Sequence, residues 1–390
     1  MSKKRYALWQ LLLAMLGSVL LTLAVTATAL WLVLGPETLA MLQAWGIVNT
    51  RFVGEYDRGE TVDAALNGMV QGLGDRWSYY LDAESLASQN QRRNNRYVGV
   101  GVTVNYTDPR GLLIVAVKKD GPAYQAGLLP GEVITVVDGF SLAGEANQQE
   151  GSERIQGEAG TVVKLTVVDA EGKERQVEVT RASIENDSVT EYTLLDNGVG
   201  YVALGNFYSG SGNQLNTAVD ELMEQGATAF VFDMRNNGGG YVHELTAMLD
   251  HLLPEGPIFR SKTKTGREEV TQSDESSIDL PMAILVNGNT YSAAEFFAAQ
   301  LKETAGSVIV GEPTSGKGFS QQTLDLVNGG ALNISTGKYF TGGGVSLIGT
   351  GLTLDAEVIL DEEQTLALYA GTLLPEEDPQ LQKALELLGK

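Results

Sequence analysis

An uninterrupted apolar run near the N-terminus constrains the fold of this chain most. No charged residue occurs from Ala7 to Leu34, and the basic cluster Lys3-Lys4-Arg5 precedes the run. As a helix, these about 28 residues would be roughly 42 Å long, which exceeds the ~30 Å hydrocarbon core of a bilayer. The run therefore predicts one membrane-spanning helix. Because basic flanks of such helices stay in the cytoplasm, the cluster predicts that the rest of the chain is extracytoplasmic.

The same segment has an alternative interpretation as a cleaved signal peptide. Ala27-Thr28-Ala29 resembles the small-residue motif at which signal peptides are cut. The apolar run nevertheless continues to Leu34 and contains Trp31, which is typical of membrane interfaces and favours an uncleaved anchor. Gly35-Pro36 is expected to end the helix. The favoured interpretation is a single-pass protein of the cell membrane, and both interpretations place the body outside the cytoplasm.

Composition disfavours several classes of partner and site. The net charge of -22 disfavours nucleic acid, because a phosphate-binding surface needs clustered lysine and arginine. The 390-residue chain contains no cysteine, which excludes disulfides, thiolate metal sites and a cysteine nucleophile. It contains two histidines, His243 and His251, so a multi-histidine metal site is disfavoured and a Ser-His-Asp triad has few candidates.

The spacing of apolar residues divides the rest of the chain. Residues from Glu37 to Asn95 have helical spacing. Short β-type runs follow, beginning with an alternating run from Val98 to Asn105, and predict a compact mainly-β module of about 85 residues.

Strands and helices alternate from about Asp187 onward, which indicates an α/β domain with a largely parallel sheet. Its predicted strands are 199–204, 229–233, 281–286 and 307–310, and its predicted helices are 214–225, 243–252 and 292–303.

Three loops follow predicted strands of this domain, where active residues of such sheets cluster. They are Asp233–Gly240, Asn287–Ser292 and Gly311–Gly318. Ser292 begins a predicted helix, and Ser292-Ala293-Ala294-Glu295 has the pattern of a structural capping box. In the functional interpretation, the free N–H groups and positive dipole at that helix end stabilise developing negative charge beside the Ser292 hydroxyl.

Lys317 and the glycines of the first loop also have two interpretations each. Lys317 is either an exposed loop lysine or a functional group, and Gly311 to Lys317 also fits the phosphate-binding pattern G-x-x-x-x-G-K. That nucleotide-binding interpretation is disfavoured because Gly318 replaces the required serine or threonine and no helix clearly follows. Gly238-Gly239-Gly240 form either a flexible turn or a source of N–H groups for an oxyanion. His243 is a weak alternative base.

In these three loops the sequence resembles the carboxyl-terminal processing peptidases, also called tail-specific proteases. The loops are similar to the family motifs D-L-R-x-N-x-G-G, S-A-S-E and G-E-x-T-x-G-K-G-x-x-Q, in that order. The matching residues are Asp233, Arg235, Asn236, Gly238, Gly239, Ser292, Ala293, Glu295, Gly311, Glu312, Thr314, Gly316, Lys317, Gly318 and Gln321. The β module is similar to the PDZ domain of the same family, so the resemblance covers nearly everything after the anchor.

The resemblance implies a domain organisation. It consists of an α/β peptidase core of the crotonase/ClpP-like type with an inserted mainly-β PDZ domain, a helical N-terminal segment and one N-terminal transmembrane helix. The expected bounds are 1–36 for the cytoplasmic tip and anchor, 37–95 for the helical segment, 96–182 for the PDZ domain, 183–365 for the peptidase core and 366–390 for a C-terminal helical segment.

The resemblance also implies a serine endopeptidase with a Ser-Lys dyad. Ser292 would be the nucleophile, Lys317 the general base and Gln321 the residue that orients the lysine amine. The backbone N–H groups of Gly238 and Ala293 would hold the oxyanion. A lysine acts as a base only if burial lowers its pKa from the usual ~10.4. No metal and no organic cofactor is implied.

The PDZ resemblance implies recognition of substrate C-termini. Val98, Gly99, Val100 and Gly101 would form the loop that binds the terminal carboxylate. The expected partners are proteins or peptides with apolar C-termini, cleaved near those ends, and a second copy of the chain, because family members commonly dimerise. Gln156 stands where family members often carry an arginine that couples the PDZ domain to the active site, which leaves peptide-gated activation open.

Two other functions stay open. A PDZ scaffold with an inactive peptidase domain would bind protein C-termini without turnover, although the presence of Ser292, Lys317 and Gln321 argues against it. An acyl-transfer enzyme of the crotonase-like fold would bind a coenzyme thioester and should lack the PDZ module.

Overall fold

The computed structural model describes residues 8–119 and 121–390. Two compact units divide the chain, one ending at Ala65 and the other beginning at Leu66. The cluster Lys3-Lys4-Arg5, on which the predicted membrane orientation depends, lies outside the described residues.

The helices of both units have the following bounds. They are α1 (Leu8–Arg51), α2 (Arg58–Gln71), α3 (Ala83–Arg93), α4 (Pro122–Gln125), α5 (Glu145–Ile155), α6 (Ser211–Glu224), α7 (Val242–Leu252), α8 (Ala293–Ala305), α9 (Glu362–Ala370) and α10 (Pro379–Leu387), with a 3-10 turn at Pro375–Glu377.

The strands all belong to the C-terminal unit. They are β1 (Tyr79–Leu81), β2 (Arg96–Gly99), β3 (Val102–Asn105), β4 (Leu112–Val117), β5 (Val133–Val137), β6 (Phe140–Ser141), β7 (Val162–Val168), β8 (Glu174–Thr180), β9 (Ala182–Glu185), β10 (Val189–Leu194), β11 (Val199–Leu204), β12 (Ala229–Asp233), β13 (Gly256–Thr263), β14 (Glu268–Ser273), β15 (Met282–Val286), β16 (Val308–Gly311), β17 (Phe319–Asp325), β18 (Ala331–Thr341) and β19 (Ala356–Glu357).

The first helix does not end where the sequence predicts. Gly35 has φ 72° and ψ 163°, which is not helical, and Pro36 follows it, but helix continues on both sides of this kink to Arg51. Within the described residues, Trp31–Arg51 is long and apolar enough, by length and composition, to cross a membrane, and Leu12–Thr26 is a shorter apolar helix. The apolar run predicted from Ala7 to Leu34 shares only residues 31–34 with the segment Trp31–Arg51.

A six-stranded sheet forms the centre of the C-terminal unit. Its order is β10-β11-β12-β15-β16-β19, and all neighbours are parallel except β10 and β11. Strands β12 and β15 are buried at every position, as expected for a sheet covered on both faces. Helices α6, α7 and α8 supply the apolar core on one face, and α10 packs on the other. This arrangement confirms the predicted α/β domain with a largely parallel sheet.

A second sheet in this unit was not predicted. Strands β1, β18, β13 and β14 form an antiparallel sheet, with β17 also paired to β18. Strand β1 lies within the segment that was predicted to be helical, so that prediction is wrong at Tyr79–Leu81. This strand has three residues and is defined by its pairing with β18, in which Tyr79 lies opposite Asn333. So short a strand has no periodicity of its own from which to be recognised.

The mainly-β module has its own sheet and its own apolar core. The sheet has the order β3-β4-β5-β7-β8, and β6 pairs with β5. Its core includes Leu112, Ile114 and Leu165, each almost fully buried. The run predicted from Val98 to Asn105 is divided into two strands, because Gly101 has a φ of 83° and β2 pairs with β9 instead of joining the module's sheet. Strand β3 is therefore left at the edge of the sheet.

Candidate active site

One cleft of the C-terminal unit brings together residues from all three predicted loops. It has a volume of about 660 Å³, and its lining includes Gly238, Ser292, Lys317 and Gln321. This volume lies within the range of about 300–1,000 Å³ that is usual for ligand pockets. The loops meet because they follow β12, β15 and β16, which are neighbouring parallel strands whose carboxyl ends lie at one edge of the sheet.

Ser292 occupies a sharp turn immediately before α8. The predicted capping box with Glu295 is present, and the Ser292 N–H donates to Glu295 Oε2 over 3.0 Å. The backbone of Ser292 is nevertheless unlike that of an ordinary N-cap, which is extended, because its φ is 61° and its ψ is -127°. A residue with a side chain in such a conformation costs about 1–3 kcal/mol, and such residues cluster at functional sites.

Lys317 faces the same cleft and has an altered basicity. The pKa of Lys317 is lowered to about 8, mainly by burial and then by the charge of Arg93, while the charge of Glu295 acts in the opposite direction. The ammonium nitrogen lies 4.5 Å from the ring centre of Trp77 and 5.6 Å from that of Tyr291. At pH 7, a pKa of about 8 leaves roughly a tenth of the side chain neutral and able to accept a proton.

Glu295 links the turn at Ser292 to the loop of Lys317. Its side chain is fully buried. Oε1 accepts hydrogen bonds from Thr314 Oγ1 at 2.6 Å and the Gly316 N–H at 2.8 Å. Oε2 accepts from the N–H groups of Lys317 at 2.9 Å and Ser292 at 3.0 Å. The sequence analysis assigned Glu295 to the capping box, and this second role was missed because its partners lie on a loop far along the chain.

The glycine-rich loop after β12 lies against the first residue of α8. Gly239 has a φ of 76°, and a Cβ atom there would lie 2.8 Å from the Ala293 nitrogen and 2.9 Å from Ser292 Cβ, so only glycine fits. Buried Asn237 fixes the loop by accepting a hydrogen bond from the Gly239 N–H at 2.9 Å. Gly239, the residue after the predicted oxyanion donor Gly238, therefore lies against Ser292 and the nitrogen of Ala293, the other predicted donor.

Tyr291 covers part of this loop. A Cβ atom on Gly238 would lie 2.6 Å from the Tyr291 hydroxyl, so the aromatic side chain packs directly on the glycine. The ring also lies 5.7 Å from that of Trp77. Together the two rings form the wall of the cleft beside Lys317.

Gln321 lines the cleft but directs its amide to the antiparallel sheet. Its Nε2 donates to the Phe319 carbonyl at 2.9 Å and to Ser335 Oγ at 3.0 Å. Its predicted role of orienting Lys317 therefore stays a prediction. The strand β17 follows Lys317, and the absence of a helix there agrees with the rejection of a phosphate-binding loop. His243 is 70% exposed and stacks on Tyr241.

A buried ionic network, missed by the sequence analysis, anchors the first loop from behind. Arg235 donates to Asp233, and its Nη1 lies 2.8 Å from Asp378 Oδ2 and 3.0 Å from Gln380 Oε1. The Tyr201 hydroxyl donates to Asp233 at 2.7 Å. Asp378 is the N-cap of α10, so the C-terminal helix is tied to the loop that carries Gly238.

The predicted carboxylate-binding loop lies at the start of the β module. Val98 and Gly99 belong to β2 and pair with β9, and the carbonyl of Val100 accepts a hydrogen bond from the Ala123 N–H at 2.8 Å. Gln156 ends α5, and its Cγ is 4.0 Å from the position that a Cβ atom on Gly99 would occupy. The residue that replaces the family's coupling arginine thus lies beside this loop.

Comparison with known proteins matches these two parts of the chain to families. Residues 198–358, which include Ser292, Lys317 and Gln321, match peptidase family S41, and residues 113–169 match the PDZ domain. This chain is a serine peptidase of family S41 with a PDZ domain.

Named relatives of the S41 peptidase are bacterial. The carboxy-terminal processing protease CtpA of Bacillus subtilis is 31% identical over 304 residues, which cover 77% of this chain and 65% of that protein. A probable CtpA-like serine protease of Staphylococcus haemolyticus is 27% identical over 381 residues, or 93% of this chain and 75% of the relative.

A solved structure shares the fold of the S41 peptidase. It is that of a putative S41 protease from Bacteroides fragilis, which is 17% identical in sequence. The match covers 87% of this chain and 92% of the other, with a TM-score of 0.55.

Proposed function

We propose that this S41 peptidase cleaves extracytoplasmic proteins near their C-terminal ends, with Ser292 as nucleophile and Lys317 as general base. The observation that carries the proposal is the position of Lys317 in the cleft of Ser292, where burial lowers its pKa to about 8. A lysine with that pKa is available as a base near neutral pH, whereas an ordinary surface lysine is not.

The chemistry follows the usual steps of acyl transfer to a serine. Neutral Lys317 Nζ takes the proton of the Ser292 hydroxyl as Oγ attacks the scissile carbonyl carbon. When the tetrahedral intermediate breaks down, the C–N bond is cleaved and the Lys317 ammonium gives its proton to the departing amine. Water then attacks the acyl-enzyme carbonyl, with Lys317 again accepting the proton. As the bond between the acyl carbon and Ser292 Oγ breaks, Lys317 returns that proton to Oγ, and the new C-terminal carboxylic acid leaves.

Backbone donors stabilise the oxyanion in this proposal. The N–H groups of Gly238 and Ala293 are the assigned donors, supported by the close approach of the glycine loop to the start of α8. The loss of one such donor costs about 2.7–4 kcal/mol in comparable enzymes. Gln321 is the proposed positioning residue for the lysine amine, supported by its place in the cleft lining.

The PDZ domain is the proposed reader of substrate C-termini. Such domains bind an extended peptide as an added strand at a sheet edge and capture its carboxylate with backbone amides. The edge position of β3 supports this role, with Val98, Gly99, Val100 and Gly101 as the carboxylate-binding loop. The proposed substrates are proteins with apolar C-termini. The name of the Bacillus subtilis relative, a carboxy-terminal processing protease, supports cleavage at that end.

The proposed location is the cell membrane, with the catalytic unit outside the cytoplasm. The apolar N-terminal helix supports this proposal, because it is long enough to span a bilayer. A homodimer is also proposed on the family resemblance, and the mass of the detergent-solubilised protein in solution tests it.

The dyad is tested by proteolysis with the full chain in detergent. We expect the parent to cleave an unstructured protein that ends in apolar residues, and Ser292→Ala and Lys317→Met to leave it intact. Product masses would locate the cut relative to the C-terminus. Cleavage that survives in Ser292→Ala, with contaminating protease excluded, would refute the nucleophile assignment. Binding without turnover by all three proteins would support a PDZ scaffold instead.

A further inference from the structure

One wall of the active-site cleft is formed by α3, which the proposed mechanism does not use. The wall includes Gln89 and Arg93. The two residues are four positions apart on a helix, so their side chains lie on the same face, one turn from each other. That face is turned toward the same cleft as Ser292 and Lys317.

Arg93 has no acidic partner. Its side chain is half-buried, and its guanidinium carbon lies 6.0 Å from the ring centre of Tyr241. In the described chain no carboxylate pairs with it, whereas nearby Arg96 pairs with Glu185 at 3.3 Å. A position in the last turn of α3 accounts for a basic residue at this helix end, because the helix dipole favours cations there. It does not account for a half-buried and unpaired one.

Arg93 makes the cleft locally positive. Its charge acts on Lys317 strongly enough to lower the pKa of that lysine. Three cationic residues, Arg92, Arg93 and Lys317, line this cleft in a chain whose net charge is -22. A cleft lined by one sign of charge concentrates ligands of the opposite sign.

Gln89 supplies a second unpaired group on the same face. Its Nε2 donates to the Tyr79 hydroxyl at 2.7 Å. Its Oε1 is buried and has no hydrogen-bond partner among the described residues. A buried acceptor without a partner is costly, so a rotation of the Gln89 amide that turns Oε1 toward a substrate N–H in the cleft would be favoured.

We propose that Gln89 and Arg93 form a substrate subsite that binds a carboxylate through the guanidinium and a neighbouring peptide N–H through the amide oxygen. The inference rests on the proposed function, since it assigns a specificity to the same cleft. The carboxylate has two sources with the same chemistry: the terminal carboxylate of the substrate, or an aspartate or glutamate side chain near the cut.

The test uses the full chain in detergent and three peptides of one sequence. The first has a free C-terminal carboxylate, the second a C-terminal amide, and the third a C-terminal amide with glutamate in place of one glutamine near the cut. We expect the parent to cleave one of the charged peptides with a kcat/KM about tenfold above that of the neutral peptide, as for one charge-assisted hydrogen bond. Which charged peptide is preferred identifies the source.

The variant Arg93→Gln should lower the preference for the charged peptide about tenfold relative to the parent, and any preference contributed by the PDZ domain should remain. Arg93→Lys should retain part of the preference that Arg93→Gln loses. Arg96→Gln removes the same charge three residues away and should keep the full preference. Because Arg93 lowers the pKa of Lys317, Arg93→Gln should also move the rise of kcat/KM to higher pH. A purely structural role of Arg93 predicts neither change.

The subsite proposal would be wrong if the parent showed no preference for a charged peptide. It would also be wrong if Arg93→Gln kept the parent's full preference. In the second case the PDZ domain would be the source of the preference. If Arg93→Gln cleaves nothing, binding of the same peptides can be measured by calorimetry on Ser292→Ala and on Ser292→Ala/Arg93→Gln. A double variant that still binds the charged peptide with the full preference contradicts the inference. Cleavage by Ser292→Ala alone would instead contradict the proposed function.

Discussion

Glu295 connects both catalytic loops through hydrogen bonds to Thr314, Gly316, Lys317 and Ser292. Glu295→Gln keeps its size but places an NH2 group against N–H donors, so kcat should fall about 10–100-fold as the loops shift. Because Glu295 raises the pKa of Lys317, the loss of its charge should also move the rise of kcat/KM to lower pH. A pH profile of the variant measures both effects.

Glu303 provides the matched control for that substitution. It lies on the same helix and accepts hydrogen bonds from the Thr341 hydroxyl and the Gly343 N–H, both at 2.6 Å. Glu303→Gln should therefore affect stability but leave the pH profile in place. An unchanged profile in Glu295→Gln would mean that this carboxylate does not act on the lysine.

The lowered pKa of Lys317 also has a consequence for stability. Its folded-state pKa of about 8 lies below the usual ~10.4, so between these values the unfolded chain holds more protons than the folded one. The free energy of unfolding should therefore rise with pH across this window, by about 3 kcal/mol in total from this residue. Lys317→Met lacks this contribution. The difference in urea unfolding between parent and variant, measured from pH 7 to 11, isolates it, and equal pH dependence would contradict the lowered pKa.

Which residues were predictable depends on how far apart their partners lie in the sequence. Ser292, Lys317 and the glycine loop could be found because each follows a strand and carries a local motif. Arg93 and Gln89 lie in a helix without any motif, and their relation to the cleft depends on the fold. The conformation of Ser292, which separates it from an ordinary cap, is also invisible in a pattern that fits a capping box.

The C-terminal helix α10 should act on the active site through the buried network of Asp378 and Arg235. Asp378→Ala removes an N-cap and one partner of a buried ion pair, and Arg235 keeps Asp233. We expect a loss of about 3–4 kcal/mol in the free energy of unfolding. We also expect a lower kcat, because Arg235 belongs to the same loop as Gly238. Denaturant unfolding and peptide kinetics measure the two effects.

Asp361 is the control at the other C-terminal helix. It caps α9 by accepting a hydrogen bond from the Gln364 N–H at 2.8 Å, and its side chain is exposed. Asp361→Ala should cost about 1 kcal/mol with unchanged kcat. Equal effects of Asp378→Ala and Asp361→Ala on kcat would show that the network does not connect α10 to the active site.

At the scale of elements, burial on both faces made the central strands predictable. Strands β12 and β15 are nearly continuous apolar runs, which identify them without any knowledge of their neighbours. Strands β14 and β17 are largely exposed or half-buried, with mixed polar sequences, and β1 has three residues. Such strands form because of their partners, and their own sequence carries little signal. The missed antiparallel sheet follows from this difference.

At the scale of the whole molecule, the charge-free run of the sequence and the structural candidate Trp31–Arg51 are alternative membrane spans. The run from Ala7 to Leu34 contains no charge, whereas Trp31–Arg51 includes Glu37 and ends at Arg51. Charged side chains inside a bilayer cost free energy, so we expect the run from Ala7 to Leu34 to span the membrane. The full chain should then sediment with membranes, resist extraction by high salt and require detergent for release.

Leu20 and Leu42 distinguish the two segments, because their side chains are similarly exposed, at 58% and 56%. An arginine at the centre of a spanning helix costs about 2.5–3.5 kcal/mol, so Leu20→Arg should release protein into the soluble fraction and Leu42→Arg should not. The opposite result would assign the span to Trp31–Arg51.

A mature N-terminus near Leu30, found by sequencing, together with soluble protein would instead identify a cleaved signal peptide. The orientation follows from protease protection in right-side-out vesicles. A catalytic unit that is digested only after these vesicles are opened would contradict an extracytoplasmic position.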